Sequence, residues 1–91
     1  MVTAFVLVNV EDKKLEGIAD SVLELPGVKE VHVVAGEYDI VIVIRVKDNN
    51  ALSQLLTENI IHTSGIQRTK TLISLNAYSD FDLEEIFGVD D

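Results

Sequence analysis

Five consecutive residues in the middle of the chain, Ile40 to Ile44, are all branched aliphatic residues. Because successive side chains of a β-strand point to opposite faces, a strand with one solvated face alternates apolar with polar residues. This segment does not alternate, so the strand that it predicts is expected to be covered on both faces. Just before it, Gly36 to Asp39 (GEYD) form a glycine-led acidic turn that is typical of a β-hairpin.

The rest of the chain predicts three more strands and two helices around this turn. β-branched residues dominate the strand segments, and apolar residues at spacings of three and four mark one face of each helix. Capping residues, proline and glycine set the ends of these elements. The predicted strands are Val2 to Val10, Val28 to Ala35, Asp39 to Lys47 and Ile66 to Tyr78. The first predicted helix has Asp12 as its N-cap and extends to Leu25, and the second has Asp48 or Asn49 as its N-cap and extends to Ile60.

The order of these elements predicts an α+β fold of the ferredoxin-like, split βαβ type (βαββαβ). Two segments, LPGVKEVHVV and TSGIQRTKTLISL, echo each other by placing glycine and a β-branched residue directly after a helix. Two such halves with right-handed crossovers give a four-stranded antiparallel sheet with both helices on one face. The 91 residues are expected to form one domain, 1–91, with a short amphipathic, acidic C-terminal helix in the tail, 79–91.

The composition excludes several classes of function. The chain has no cysteine, which removes disulfides, thiolate metal sites and a cysteine nucleophile. Its net charge is -9, with no basic residue after Lys70, so direct binding to DNA or RNA is not expected. The apolar segment Val2 to Val10 lacks a basic leader and is too short for a signal peptide or a membrane span. We therefore expect a cytoplasmic protein without membrane contact.

An apolar second sheet face predicts self-association. With helices on one side only, the other face should be solvated, yet the first and third strands are apolar on both sides. Large exposed apolar patches usually mark interaction surfaces, and the simplest arrangement is a two-fold homodimer. The predicted interface residues are Phe5, Leu7, Ile40, Val41, Ile42 and Val43. The alternative is that side chains of the chain's own tail cover this strand.

The GEYD turn and the segment Gly65 to Thr71 (GIQRTKT) together resemble the C-terminal effector domain, or RAM domain, of the Lrp/AsnC transcription regulators. The resemblance covers nearly the whole chain. It implies dimers packed sheet to sheet, assembly of dimers into larger rings such as octamers, and amino acids bound where two dimers meet. It also implies an N-terminal helix-turn-helix domain, but Met1 leads directly into the first strand. We therefore expect a stand-alone RAM module. Two modes of action stay open for it, which are assembly into mixed oligomers with full-length Lrp/AsnC regulators and buffering of the effector.

An amino-acid effector needs hydrogen-bond donors for its carboxylate and an anion for its ammonium group. Backbone N–H groups around Gly36 can surround a carboxylate, because glycine allows close approach and positive φ. Asp39 can accept a charge-assisted bond from the ammonium group, and the last strand adds hydroxyls and an apolar contact. The predicted ligand-binding residues are Gly36, Glu37, Tyr38, Asp39, Thr69, Thr71 and Ile73, to which the resemblance adds Asn49.

Other interpretations of the same residues stay open. A glycine followed by acids is ordinary hairpin chemistry, in which Asp39 bonds backbone N–H groups of its own turn, and threonines are common strand residues. His32 and His62 lack a second ligand at a metal-like spacing, so neither a metal site nor another cofactor is expected. A small dimeric ferredoxin-like enzyme, of the monooxygenase or isomerase type, and an ACT-like regulatory domain are the alternatives. Because no nucleophile with its base is recognisable, the sequence favours a binding module over an enzyme.

Overall fold

The computed structural model of the chain describes residues 1–11 and 15–79. Within them lie four strands and two helices in the order β1, α1, β2, β3, α2, β4. Their bounds are β1 Val2–Val10, α1 Leu15–Leu23, β2 Val28–Val33, β3 Ile40–Val46, α2 Asn49–Leu55, continued by a π-helical turn Leu56–Ile60, and β4 Ile66–Ile73. The predicted C-terminal helix falls in a part of the chain beyond the described residues.

The four strands form one sheet in the order β2-β3-β1-β4, and each neighbouring pair is antiparallel. The two central strands, β1 and β3, therefore each pair on both edges, and β2 and β4 form the edges of the sheet. Each helix connects a central strand to an edge strand. This is the predicted ferredoxin-like α+β fold, and the duplicated βαβ pattern in the sequence is its cause.

Both helices pack against the same side of the sheet, which we call the helix face. Alternate residues of the strands meet the inward side chains of the helices there. These core residues are Ala4, Val6, Val8, Val10, Val28, Ile40, Ile42 and Ile44 from the strands, and Ile18, Val22, Leu52, Leu55 and Ile60 from the helical segments. All are aliphatic, and among the described residues no polar or charged side chain is buried. Burial of each large aliphatic side chain stabilises the fold by about 1.5–3 kcal/mol.

The opposite side of the sheet, which we call the open face, carries the strand residues of the other parity. Phe5 is 37% exposed and Leu72 is 45% exposed. Leu7, Val41 and Val43 are only partly buried. Five apolar side chains from three adjacent strands therefore remain accessible on one continuous surface.

Two of the residues predicted for the self-association interface do not lie on this surface. Ile40 and Ile42 are 0% exposed and belong to the core under the helices. In the antiparallel register they pair with Val8 and Val6, which are helix-face residues of β1. Their assignment to the interface is therefore wrong, because residues of one parity in a strand share one face.

The last strand ends earlier than its sequence pattern predicts. The apolar and β-branched pattern extends to Tyr78, but β4 ends at Ile73. The N–H of Ser74 still donates to the carbonyl of Thr3 at 2.9 Å.

The second helix begins as predicted and then widens. Asp48 caps it, since its Oδ1 accepts a hydrogen bond from the N–H of Ala51 at 2.8 Å. In the π-helical turn that follows, the N–H of Ile61 donates to the carbonyl of Leu56 at 3.0 Å. The wider turn still places Ile60 in the core. Neither helix of the described part of the chain is long and apolar enough to cross a membrane.

The two glycines that open β2 and β4 are required by their surroundings. Gly27 and Gly65 both have a φ of 95°. A Cβ atom would lie 2.7 Å from a methyl group of Val46 at the first position, and 2.8 Å from a methyl group of Ile18 at the second. The internal echo in the sequence therefore corresponds to one structural device that is used twice, a tight turn from a helix into an edge strand.

Candidate functional site

The GEYD turn folds back onto the end of β1. The N–H of Asp39 donates to the carbonyl of Val8 at 2.9 Å, and the side-chain amide of Asn9 donates to the carbonyl of Glu37 at 2.9 Å. Gly36 adopts a φ of 149°, a conformation that residues with a side chain rarely take. These bonds hold the turn against one corner of the sheet.

The side chain of Asp39 takes part in this arrangement. Its Oδ2 accepts a hydrogen bond from the N–H of Val10 at 2.8 Å, in a partly buried position. Val10 lies where the register between β1 and β4 shifts. One interpretation of the sequence is that Asp39 accepts hydrogen bonds from backbone N–H groups of its own turn. This bond is likewise to a backbone N–H, but its donor, Val10, belongs to β1. Its role as an acceptor for a ligand stays a prediction.

A polar cavity of about 380 Å³ opens beside the turn at this corner. Its lining residues are Asn9, Glu37, Tyr38, Arg68, Thr69 and Lys70. The GEYD turn forms one wall, the beginning of β4 forms another, and the end of β1 lies between them. The lining includes one carboxylate, one guanidinium and one ammonium group. Such a set can hold a small molecule that carries both an anionic and a cationic group, with a guanidinium suited to a carboxylate.

Three of the eight predicted ligand-binding residues line this cavity, namely Glu37, Tyr38 and Thr69. Gly36 and Asp39 shape the same turn without lining the cavity. The structure therefore brings five of the eight residues to one corner of the sheet. Their roles toward a ligand stay predictions.

The other three predicted residues lie elsewhere in the protomer. Thr71 and Ile73 follow along β4 and pair with helix-face residues of β1, progressively farther from the turn. Asn49 is the first residue of α2, which follows the end of β3 that is remote from the turn. A seven-residue strand, about 20 Å long, separates these two places. A cavity of a single protomer at the corner therefore does not include these three residues.

Three lining residues were not among the predicted ligand-binding residues, namely Asn9, Arg68 and Lys70. Their signal in the sequence is polarity at alternate positions, since Asn9 interrupts an apolar strand and two basic residues alternate with threonine in β4. The register that pairs Asn9 with Arg68 brings these signals together. That pairing is a property of the sheet, which the pattern of one strand alone does not reveal.

A second cavity, of about 290 Å³, lies between α1 and the loop that leads into β4. Its lining residues are Val10, Gly17, Ile18, Ser21, Thr63, Ser64 and Gly65, none of which is charged. Neither cavity is lined by His32 or Asp39. Within residues 1–11 and 15–79, no group of three His, Cys, Asp or Glu side chains is placed to hold a metal ion.

A four-stranded antiparallel sheet with helices on one face and an apolar open face is the architecture of a small ferredoxin-like domain. The family to which this domain belongs follows from its sequence. The chain belongs to the Lrp/AsnC ligand-binding domain family, whose model matches residues 3–83. This match confirms the resemblance that the GEYD turn and the GIQRTKT segment indicate.

Relatives of the chain include transcription regulators and proteins of similar length. An uncharacterised helix-turn-helix-type transcriptional regulator of Pyrococcus furiosus is 35% identical over 75 residues, which are 79% of this chain and 50% of the regulator. A crystal structure from Thermus thermophilus, of the protein TTHA0845, has a TM-score of 0.81 at 38% identity and covers 87% of this chain and 99% of its own. The chain thus spans about half the length of the curated regulators that it matches.

A third relative has been solved with an amino acid. The feast or famine regulatory protein of M. tuberculosis, in complex with L-methionine, has a TM-score of 0.74 and is 30% identical to this chain. The match covers 90% of this chain and 56% of that protein.

Proposed function

We propose that this chain is an amino-acid-sensing module that self-associates through its open face and acts on transcription regulators through assembly. The observation that carries this proposal is the corner cavity, whose lining combines a carboxylate with two cationic side chains. A free amino acid near neutral pH carries one carboxylate and one ammonium group. The charges of the cavity are complementary to both groups of such a ligand.

In this proposal Arg68 binds the carboxylate of the amino acid, because a guanidinium offers two parallel N–H donors to a carboxylate. Glu37 accepts the hydrogen bonds of the ammonium group. Tyr38 and Thr69 are further polar residues of the lining. The L-methionine complex of the mycobacterial relative supports this ligand class, since that protein shares the fold and 30% of its aligned residues.

Self-association is proposed from the open face. Phe5, Leu7, Val41, Val43 and Leu72 form an accessible apolar surface on three adjacent strands. A second copy that packs its own open face on this surface removes both from water, as in a two-fold dimer. Further assembly of such dimers into a ring remains part of the proposal, with ligand bound near the contacts between dimers.

Ligand binding and assembly are then coupled by linkage. An amino acid that binds the assembled state more tightly than the separated state shifts the equilibrium toward assembly by the ratio of the two affinities. Through such a shift the chain would act on full-length Lrp/AsnC regulators, by forming mixed oligomers with them. The relationship to regulators of this type supports that choice of partner.

A catalytic role receives no comparable support. The enzyme alternative requires an enclosed pocket that contains His32 or Asp39. Asp39 bonds the backbone of β1, and the His32 ring lies 2.6 Å from a carboxylate oxygen of Glu30 on the surface. We therefore propose that the chain binds its ligand without transforming it.

The test is a thermal-shift screen against the twenty amino acids at millimolar concentration. A ligand present at about 100 times its dissociation constant stabilises the folded state by about 2.7 kcal/mol, which raises the midpoint of a domain of this size by roughly 10–20 °C. We expect such a shift with one or a few amino acids. Arg68→Ala should remove it, whereas Lys47→Ala, which changes an exposed basic residue after the end of β3, should not. The absence of a shift with every amino acid, or equal losses in the two variants, would contradict the proposal.

A further inference from the structure

The corner cavity has one charged residue more than the proposed ligand groups require. Its lining includes one acidic residue, Glu37, and two basic residues, Arg68 and Lys70. An amino acid with a neutral side chain presents only one carboxylate and one ammonium group. In the proposed function Arg68 binds the carboxylate and Glu37 binds the ammonium group. Lys70 is then left without a counterpart on the ligand.

The charge of this corner is opposite in sign to that of the whole chain. The chain has a net charge of -9, with more than twice as many acidic as basic residues. In the lining of the cavity, however, basic residues outnumber acidic ones. Asp39, the other acid of the GEYD turn, does not line the cavity, and its carboxylate accepts the N–H of Val10. The lining therefore has a net positive charge, which favours ligands with a net negative charge.

Arg68 and Lys70 lie next to each other on one face of β4. They pair with Asn9 and Leu7 of β1, so both belong to the open face. Their Cα atoms are about 7 Å apart along the strand. Both residues are exposed, and in the part of the chain that the structure describes neither forms an ion pair with a carboxylate. Two cationic groups at this spacing can bind two separate anionic groups of one small molecule.

We infer that the ligand of the corner cavity is an amino acid with an acidic side chain, glutamate or aspartate, and that Lys70 sets this preference by binding the side-chain carboxylate. The inference rests on the proposed function and adds the class of amino acid. Such a ligand has two carboxylates and one ammonium group, which match the two basic residues and the one acidic residue of the lining. The cavity volume of about 380 Å³ is near the lower end for ligand pockets and suits a molecule of this size.

The same charges act against the other classes of amino acid. A basic side chain would place a further cation beside Lys70, and juxtaposed like charges oppose binding. An amide side chain, as in glutamine, has nearly the shape of its acid but cannot form an ion pair with Lys70. Glutamate and glutamine therefore differ in the one property on which the inference depends.

Isothermal titration calorimetry with L-glutamate and L-glutamine measures this difference, and L-aspartate and L-asparagine form a second pair. For the parent chain we expect the acid to bind about fivefold more tightly than its amide. Lys70→Gln should abolish this preference by weakening the binding of the acid, while the affinity for the amide stays within about twofold. Lys47→Gln is the matched control. It removes the same charge at an exposed position after the end of β3, outside the cavity, and should keep the preference.

Lys70→Glu tests the inference with the opposite sign. The lining then contains two acidic residues and one basic residue, and the matching ligand is a basic amino acid. We expect L-lysine to bind this variant more tightly than L-glutamate, in contrast to the parent chain. A gained affinity also shows that the variant is folded. Sedimentation at the same protein concentration checks that the compared variants have the oligomeric state of the parent chain.

The possible outcomes separate the class of ligand from amino-acid binding itself. Equal affinities of the parent chain for glutamate and glutamine overturn the inference while amino-acid binding stands. A preference that survives in Lys70→Gln, or that is lost equally in Lys47→Gln, overturns the role of Lys70. Glutarate lacks the ammonium group, so if it binds as tightly as glutamate the cavity recognises a dicarboxylate and the inference is also overturned. If no amino acid binds the parent chain, the proposed function fails together with the inference.

Discussion

The two faces of the sheet are built from the same strands and from similar residues, yet only one of them is covered within the protomer. On the helix face Ile40, Ile42 and Ile44 are 0% exposed. On the open face the residues between them, Val41 and Val43, are only partly buried. The difference shows that an apolar side chain is evidence of burial, but not of which molecule covers it.

The two faces also contribute to different equilibria. Side chains on the helix face leave water when the chain folds, so they contribute to the free energy of folding at any protein concentration. Side chains on the open face lose most of their remaining water contact only if a second copy binds. Their contribution should then depend on protein concentration, because association stabilises the folded state by mass action.

The largest expected effect comes from a paired comparison across β3. Ile42→Ala leaves a cavity in the core and should lower the free energy of unfolding by about 2–5 kcal/mol. Val43→Ala, at the neighbouring position on the open face, should lower it by less than about 1 kcal/mol in the dilute protein. Both are measured by urea unfolding over a hundredfold range of protein concentration.

The concentration dependence is the control in this comparison. The loss in Ile42→Ala should be the same at every concentration, and the loss in Val43→Ala should grow as the protein becomes more concentrated. A loss in Val43→Ala that is large and independent of concentration would show that a covering within the protomer, such as the tail, buries the open face. The distinction between the two faces would then be wrong.

Most of the fold is predictable from local patterns. The helices follow from apolar spacing and the Asp48 cap, and the turns into β2 and β4 follow from Gly27 and Gly65, whose φ of 95° and close neighbours require glycine. The duplicated strand-helix-strand pattern then leaves few topologies. The π-helical turn after α2 could not be predicted. It adds one residue to a single helical turn, and the spacing of apolar residues along the helix changes too little to reveal it.

The faces and the corner cavity were less predictable. In a strand where every residue is apolar, the sequence pattern indicates burial but not which face each side chain occupies. For this reason the sequence also predicts Ile40 and Ile42 for the interface, although they lie in the core. Polar residues of the cavity come from β1, the GEYD turn and β4, which are far apart in sequence. Asn9 and Arg68 meet only through the pairing of two strands, and that register depends on the whole sheet.

A smaller loss of stability is expected from substitutions of Asp39, the last residue of the GEYD turn, which bonds the end of β1. Asp39→Ala removes the acceptor of the partly buried N–H of Val10 and should lower the free energy of unfolding by about 1–3 kcal/mol without any ligand. Asp39→Asn keeps an oxygen acceptor and should lower it by less. Urea unfolding of the ligand-free protein measures both. Wild-type stability of Asp39→Ala, combined with a lost response to amino acids, would instead assign the carboxylate to the ligand.

The smallest expected effect is at Asn9, which holds the same turn from the open face. Its side-chain amide donates to the carbonyl of Glu37 in an exposed position, where water can replace the donor. Asn9→Ala should therefore lower the free energy of unfolding by only about 0.5 kcal/mol, less than Asp39→Ala lowers it. Because Asn9 lines the cavity, the same variant should weaken the response to amino acids more than its effect on stability suggests. Equal losses of stability in Asn9→Ala and Asp39→Ala would contradict this expectation. They would show that the exposed hydrogen bond of Asn9 and the partly buried hydrogen bond of Asp39 contribute equally to stability.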